Sequence, residues 1–150
     1  MWLDAALSYL HFSAIFVLFA FLSVEAMMVR GNLDPSAVRL LGRVDLWYFA
    51  AAIAVLATGF LRLAFGAKGQ EFYLGSWPIY VKIGLFVAVG LMSVSPTLTF
   101  IRWRRAQEHD PAWRVPEEEQ KRVRRMLMLE LHLAALIPVF AVIMSRGLGR

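Results

Sequence analysis

The chain has 150 residues, of which 59% are hydrophobic and only 18% charged, with a formal net charge of +5; a soluble domain is about 45–50% apolar with roughly 25% charged residues. There is no cysteine, which excludes disulfides, thiolate zinc, iron–sulfur clusters and covalent c-type haem attachment, so any haem must be held non-covalently. The charges are clustered between long apolar stretches, as in a chain that crosses a bilayer repeatedly, and the length allows one membrane domain, residues 1–150.

The N-terminus, Met1-Trp2-Leu3-Asp4, has no basic region and no small-residue cleavage site, so the first apolar stretch is expected to remain as a helix. It covers about 8–29 and closes at Arg30-Gly31. Asp34-Pro35 is an N-cap followed by a first-turn proline, which predicts a helical lead-in to the second span, about 44–65, before Gly66. Ser76-Trp77-Pro78 opens the third span, about 77–100, in the same way. Ahead of the fourth span, about 126–145, Pro116 and Glu117-Glu118-Glu119 give way to Lys121, Arg122, Arg124 and Arg125. The pairs Glu117/Lys121 and Glu118/Arg122 have the favourable i,i+4 polarity of a helix that projects from the membrane. This charge run reads as a solvated face touching anionic headgroups, and nucleic acid is not expected as a partner. Each span is near the ~20 residues that cross a ~30 Å hydrocarbon core, where only helices satisfy their own backbone. The expected fold is therefore all-α, an integral membrane four-helix bundle.

Orientation follows from the basic residues. Arg30, Arg39, Arg43, Arg102, Arg104, Arg105, Arg114, Lys121, Arg122, Arg124 and Arg125 lie in the first and third loops. The opposite side has Arg62, Lys68, Arg146 and Arg150. This asymmetry predicts a bacterial inner-membrane protein with both termini periplasmic. Trp2, Tyr9, Tyr73, Trp77 and Tyr80 are expected at the outer interface, and Trp47, Tyr48 and Trp103 at the inner one. Small residues in span two, Ala50, Ala54, Ala57 and Gly59, permit close helix packing.

Ionisable groups within spans cost about 2.5–3.5 kcal/mol each near the centre and so need a reason. Threading the spans sorts them into an outer layer of His11, Arg62 and Lys82, and an inner layer of Glu25, Asp45, Glu130 and His132. Glu25 and Glu130 have Arg43 and Arg125 as candidate partners. His11 and Glu25 are fourteen residues apart, within ~40° of one helix face and ~21 Å along it, so span one is expected to turn one polar face inward. Glu130 and His132 are two apart and point nearly opposite ways. Glu130 shares its face with Ala134, Ile137, Ala141 and Ser145, while His132 aligns with Val139 and Ile143; one of the pair is a candidate to face headgroups or a partner subunit. Pro96 and Pro138 take structural roles. His109 lies in a loop and has no expected role.

Tyr9-Leu10-His11 opening span one, and Trp77 followed by Lys82 opening span three, resemble the HemJ-type protoporphyrinogen oxidases, small four-span proteins associated with b-type haem. Over nearly its full length the chain is also similar to a bacterial four-span domain-of-unknown-function family, as in Glu130-Leu131-His132-Leu133 and Met144-Ser145-Arg146-Gly147. The first resemblance implies haem b and an electron-transfer or porphyrinogen/quinol oxidoreductase role. His11 and His132 would then be metal ligands, at depths too different to share one iron. Arg62 and Lys82 would bind the carboxylates of haem or porphyrin, and Lys82 and Glu130 would be catalytic. For His11, the second ring nitrogen is expected to find a backbone carbonyl one turn earlier. The expected partners are the lipid bilayer, a porphyrin or quinone, and a homo-oligomeric or larger membrane complex. The alternatives are a non-catalytic accessory subunit or a small proton or ion pathway.

Overall fold

A computed structural model of the chain describes residues 2–66, Gly75 and 77–146. Its four helices are α1 (Trp2–Met28), α2 (Pro35–Phe65), α3 (Trp77–His109) and α4 (Glu117–Ser145). All four are long and apolar enough to cross a membrane. Only 17–22% of each apolar stretch is buried against protein, and Phe16, Trp47, Phe60 and Leu91 stand on the outside. So much outward apolar surface is stable only in lipid, where helices associate through van der Waals contact and internal hydrogen bonds. The helices pack in chain order around a ring, α1 on α2, α2 on α3, α3 on α4 and α4 back on α1. Among the described residues no diagonal pair brings its backbones close together. The bundle is up-down-up-down, with the start of α1 and the end of α4 at the same end.

The ends of the helices carry the expected chemistry. Asp34 caps α2 by accepting from the backbone N–H of Ala37 at 2.8 Å, and Ser36 Oγ adds a bond of 2.6 Å. These donors hold the Asp34 carboxyl below its ordinary range, the Ser36 hydroxyl most and the Ala37 N–H next. The lead-in and the span form one unbroken helix from Pro35 onward. At the other end of α2 the N–H of Gly66 caps the carbonyl of Arg62 at 2.9 Å, and a Cβ at Gly66 would collide with that carbonyl. Helix α3 has 33 residues, about 50 Å at 1.5 Å per residue. It therefore runs well beyond a ~30 Å core on the basic-loop side, as α4 does with its charged start.

At that end the projecting segments are knitted together. Lys121 pairs with Glu117 at 2.8 Å and with Glu118 at 3.2 Å, so Glu118 takes Lys121 rather than the expected Arg122. Glu119 instead reaches across to α3, accepting from Arg102 at 2.7 Å and from the indole N–H of Trp103 at 2.8 Å through one oxygen. The Trp103 bond, with Arg102 behind it, holds the Glu119 carboxyl below its usual range. Gln120 donates to the carbonyls of Val29 and Gly31 beyond the end of α1. Trp103 and Tyr48 were expected in the interfacial belt; both are buried, Tyr48 with its hydroxyl against Ser93 and Trp103 with its indole N–H on Glu119. Trp2, Tyr9, Trp47, Trp77 and Tyr80 are exposed, while Tyr73 lies outside the described residues, as do Lys68, Ser76, Gly147 and Arg150.

Packing is uneven along the bundle axis. Trp103, Phe100, Leu22, Leu41, Leu127 and Val38 form a fully buried core toward the basic-loop end. In the third of the bundle next to the termini, only Leu7 and Pro78 are buried among the described residues. The stripe of small residues in α2 is also re-sorted. Ala50 and Ala57 face outward, and the packed face runs through Ala51, Val55 and Gly59 at i,i+4 spacing.

Candidate functional site

The bundle holds two polar layers separated by apolar side chains. In the layer near the termini, α1 supplies His11, α2 supplies Thr58 and Arg62, and α3 supplies Lys82. His11 Nδ1 is 2.9 Å from Thr58 Oγ1. The Thr58 hydroxyl has one proton and donates it to the Ala54 carbonyl at 2.6 Å, one turn back along α2. Oγ1 therefore accepts from His11 Nδ1–H, and in the tautomer this bond selects, Nε2 carries the lone pair. The expected carbonyl one turn earlier in α1 is not the partner. The Thr58 hydroxyl and the Val55 backbone, both on the neighbouring helix, meet the ring instead, because it turns inward toward α2 rather than lying back along its own helix. Gly59 makes that approach possible, since a Cβ there would stand 3.3 Å from His11 Cε1.

Arg62 and Lys82 are both half-buried and close enough to His11 and to each other to interact electrostatically. The Arg62 guanidinium lies 5.5 Å from the centroid of the Phe12 ring, a cation–π contact that holds it beside α1. Its Nε is buried without a hydrogen-bond partner, and a buried orphan donor costs about 1–3 kcal/mol. The layer thus presents one imidazole nitrogen and two cationic side chains, one with a donor unsatisfied, in the least tightly packed part of the bundle. This arrangement suits an anionic ligand, and above all one bearing carboxylates.

In the layer toward the basic loops, Glu25, Asp45 and Glu130 come from α1, α2 and α4, and are 1%, 8% and 0% exposed. Glu130 Oε2 accepts from Ser93 Oγ of α3 at 2.9 Å. Ser93 also contacts Tyr48 Oη at 2.8 Å and the Val89 carbonyl at 2.9 Å. Thr97 donates to Asp45 Oδ1 at 2.9 Å. Glu25 Oε1 and Glu130 Oε1 are buried without partners, and the three carboxyls are close enough to act on one another electrostatically. The candidate partners Arg43 and Arg125 are exposed. They sit on the faces of α2 and α4 that point away from the interior, where long cationic side chains reach water. Three carboxyls in a low-dielectric interior must be neutralised by protons or by a cation. Among the described residues no group of three or more acids and histidines is arranged to hold a metal ion.

His132 does not join this layer. It is exposed, and its Nδ1 is bonded to the Met128 carbonyl one turn back. Two residues of helix separate it from Glu130, which turns it about 200° away; Val139 lies outward with it. Glu130 and Ala134 are buried as their shared face requires. The side chain of Ser145 lies outside the described residues. Between the layers, Leu18, Leu22, Ala51, Val55 and Val89 fill the interior with apolar contacts.

Sequence reasoning grouped the ionisable residues by depth but missed Thr58, Tyr48, Ser93 and Thr97. Hydroxyls are common in spans, and only their position opposite His11, Glu130 and Asp45 distinguishes these four. One signal was available, since Thr58 and Arg62 are one turn apart and share a face of α2.

Over residues 3–149 the chain matches the family described as "Predicted membrane protein (DUF2214)", and it belongs to that family. No curated protein and no solved structure matches it.

Proposed function

We propose that this member of the family is a b-type haem-binding membrane protein with an electron-transfer role, oxidising a porphyrinogen or a quinol. The observation that carries the reading is the His11–Thr58 hydrogen bond beside two half-buried cations. A histidine that ligates metal through one nitrogen characteristically gives its other N–H to a fixed acceptor, which sets the ring's tautomer and orientation. Thr58 is such an acceptor. Nε2 of His11 would then hold the haem iron, and Arg62 and Lys82 would pair with the carboxylates of haem or of a porphyrin substrate. The unsatisfied Arg62 Nε fits that assignment, because a carboxylate gives the orphan donor a partner. When bound, the haem supplies a one-electron acceptor. Lys82 orients the substrate's acid group, and Glu130 with Ser93 and Tyr48 holds protons in the other layer. The resemblance of Tyr9-Leu10-His11 and of Trp77 with Lys82 to HemJ-type oxidases supports the same reading. His132 points out of the bundle, so it is a ligand only in a site shared between copies of the chain. The excess of basic residues in the first and third loops supports a bacterial inner-membrane protein with periplasmic termini.

The test is an absorption spectrum of protein purified in mild detergent from haem-supplemented cells. A Soret band is expected, with sharp visible bands on reduction. His11→Ala removes the signal with expression intact, Thr58→Val weakens haem retention about 10–100-fold, and His109→Ala changes nothing. A colourless wild-type protein sinks the reading and leaves the accessory-subunit alternative.

The buried carboxyl layer favours a second reading, a proton pathway. The apolar plug of Leu18, Leu22, Val55 and Val89 argues against conduction from one layer to the other. Proton storage at Glu25, Asp45 and Glu130 serves the first reading as readily. Proton flux in proteoliposomes that is abolished by Glu130→Gln, in protein without haem, would reverse this preference.

A further inference from the structure

The outer surface of the bundle carries a groove that neither polar layer uses. It lies between α3 and α4, encloses about 490 Å³, and opens sideways to the membrane. Leu91, Val94 and Leu98 of α3 and Val123 and Met126 of α4 line it, with the hydroxyls of Ser95 and Thr99 along one wall. From Leu91 to Thr99 the groove follows α3 for about 12 Å at 1.5 Å per residue, within the span. It then ends at Arg102 on one wall and Arg122 on the other, with Glu119 between them. Leu91, Val94 and Leu98 are 70%, 46% and 61% exposed, so the protein leaves the apolar part of the groove uncovered.

The charges at its mouth identify what covers it. Glu119 uses one oxygen, Oε2, for both Arg102 and Trp103, which fixes the Arg102 guanidinium at the groove's end. Arg122 faces the same mouth from α4, so two guanidiniums meet one carboxylate and one positive charge is left over. An apolar channel at acyl-chain depth that finishes in excess positive charge at headgroup depth matches one kind of molecule. We propose that this groove is a binding site for an anionic glycerophospholipid, with an acyl chain along Leu91, Val94 and Leu98 and the phosphate at Arg102 and Arg122. The site is independent of any haem or proton chemistry. It also explains why the helix turn carrying Arg122 leaves Glu118 to Lys121: Arg122 points into the groove.

Native mass spectrometry of the full chain tests this, after incubation in mild detergent with equal amounts of phosphatidylglycerol and phosphatidylcholine bearing the same acyl chains. Wild-type protein is expected to retain one phosphatidylglycerol at least roughly tenfold more strongly than phosphatidylcholine, as one or two charge-assisted phosphate contacts imply. Arg122→Gln keeps the Arg102–Glu119 pair and should lose most of that preference. Val94→Trp, at an exposed position, should reduce retention of both lipids by filling the channel. Arg124→Gln, on the opposite face of α4, should match wild type. Equal retention of the two lipids by wild-type protein overturns the proposal, as does an Arg124→Gln effect as large as that of Arg122→Gln. A shift from oligomer to monomer in the groove variants with lipid retention unchanged also overturns it, since the occupant is then a second copy of the chain.

Discussion

Removing the hydroxyl of Ser93 should cost this bundle more than a single hydrogen bond in a membrane protein usually does. Side-chain hydrogen bonds between transmembrane helices average about 0.6 kcal/mol in double-mutant cycles, because the separated helices find other partners. Ser93 differs in being 3% exposed and shared between two buried groups. Its Oγ meets Tyr48 Oη at 2.8 Å and Glu130 Oε2 at 2.9 Å. In Ser93→Ala, Glu130 Oε2 loses the Ser93 hydroxyl while Oε1 is already without a partner, and Tyr48 Oη is stranded as well. An orphaned buried polar group costs about 1–3 kcal/mol. Two of them put the expected loss at about 2–6 kcal/mol. Tyr48→Phe alone should cost about 1 kcal/mol, since Ser93 keeps Glu130 and the Val89 carbonyl. The double variant should be less damaging than the sum by about 1 kcal/mol, because Tyr48→Phe removes one of the two orphans that Ser93→Ala creates. The assay is reversible unfolding in mixed micelles at increasing dodecyl sulfate, followed by far-ultraviolet circular dichroism. A Ser93→Ala loss under about 0.5 kcal/mol, or strict additivity with Tyr48→Phe, would refute the shared-hydroxyl network.

Three further outcomes are expected. Gly59→Leu should separate α1 from α2 at His11, because even the Cβ would stand 3.3 Å from the imidazole; a thermal shift matching that of Ala57→Leu, on the outward face, would count against this packing. Trp103→Ala should lose about 3–5 kcal/mol, as full burial of the ring implies, whereas Trp103→Phe should retain much of that and chiefly strip Glu119 of a donor, a difference readable in the same unfolding assay. For Glu119 the carboxyl is held down in the folded protein, so it contributes stability above its ordinary pKa of 4.5. That contribution is lost as pH falls through the lowered value. Glu119→Gln should therefore flatten the acid limb of a melting-temperature profile below about pH 4.5, and an unchanged limb would show that other carboxylates set it.

The helices, their number and their membrane setting were legible in the chain because they rest on local properties. Long apolar runs cannot be satisfied outside lipid except as helices, and Asp34-Pro35 and Pro116-Glu117 mark where backbone donors need caps. Depth was legible too, since position along a helix converts directly into height in the bilayer. Thus His11, Arg62 and Lys82 fall into one layer, and Glu25, Asp45 and Glu130 into another.

What depth leaves undetermined is rotation and partnership, and these belong to the tertiary structure. A helix in lipid gains almost nothing from turning one apolar side chain rather than another toward its neighbours, so hydrophobicity does not say which face is inside. Ala50 and Ala57 are as small as Ala51 yet face outward; the face is chosen by Gly59 beneath His11 and by Asp45 and Tyr48, which must reach Thr97 and Ser93. The same choice sends Glu130 inward and His132 out. It also gives His11 a hydroxyl 47 positions away in sequence in place of a carbonyl in its own helix. Charge at the helix ends behaves likewise, for Glu119 looks like one of three equivalent acids until α3 brings Trp103 and Arg102 to it. Sequence fixes how deep each polar group lies, because helical rise is constant. Which groups meet at that depth is decided only when four helices pack and the few polar side chains on them are satisfied by one another.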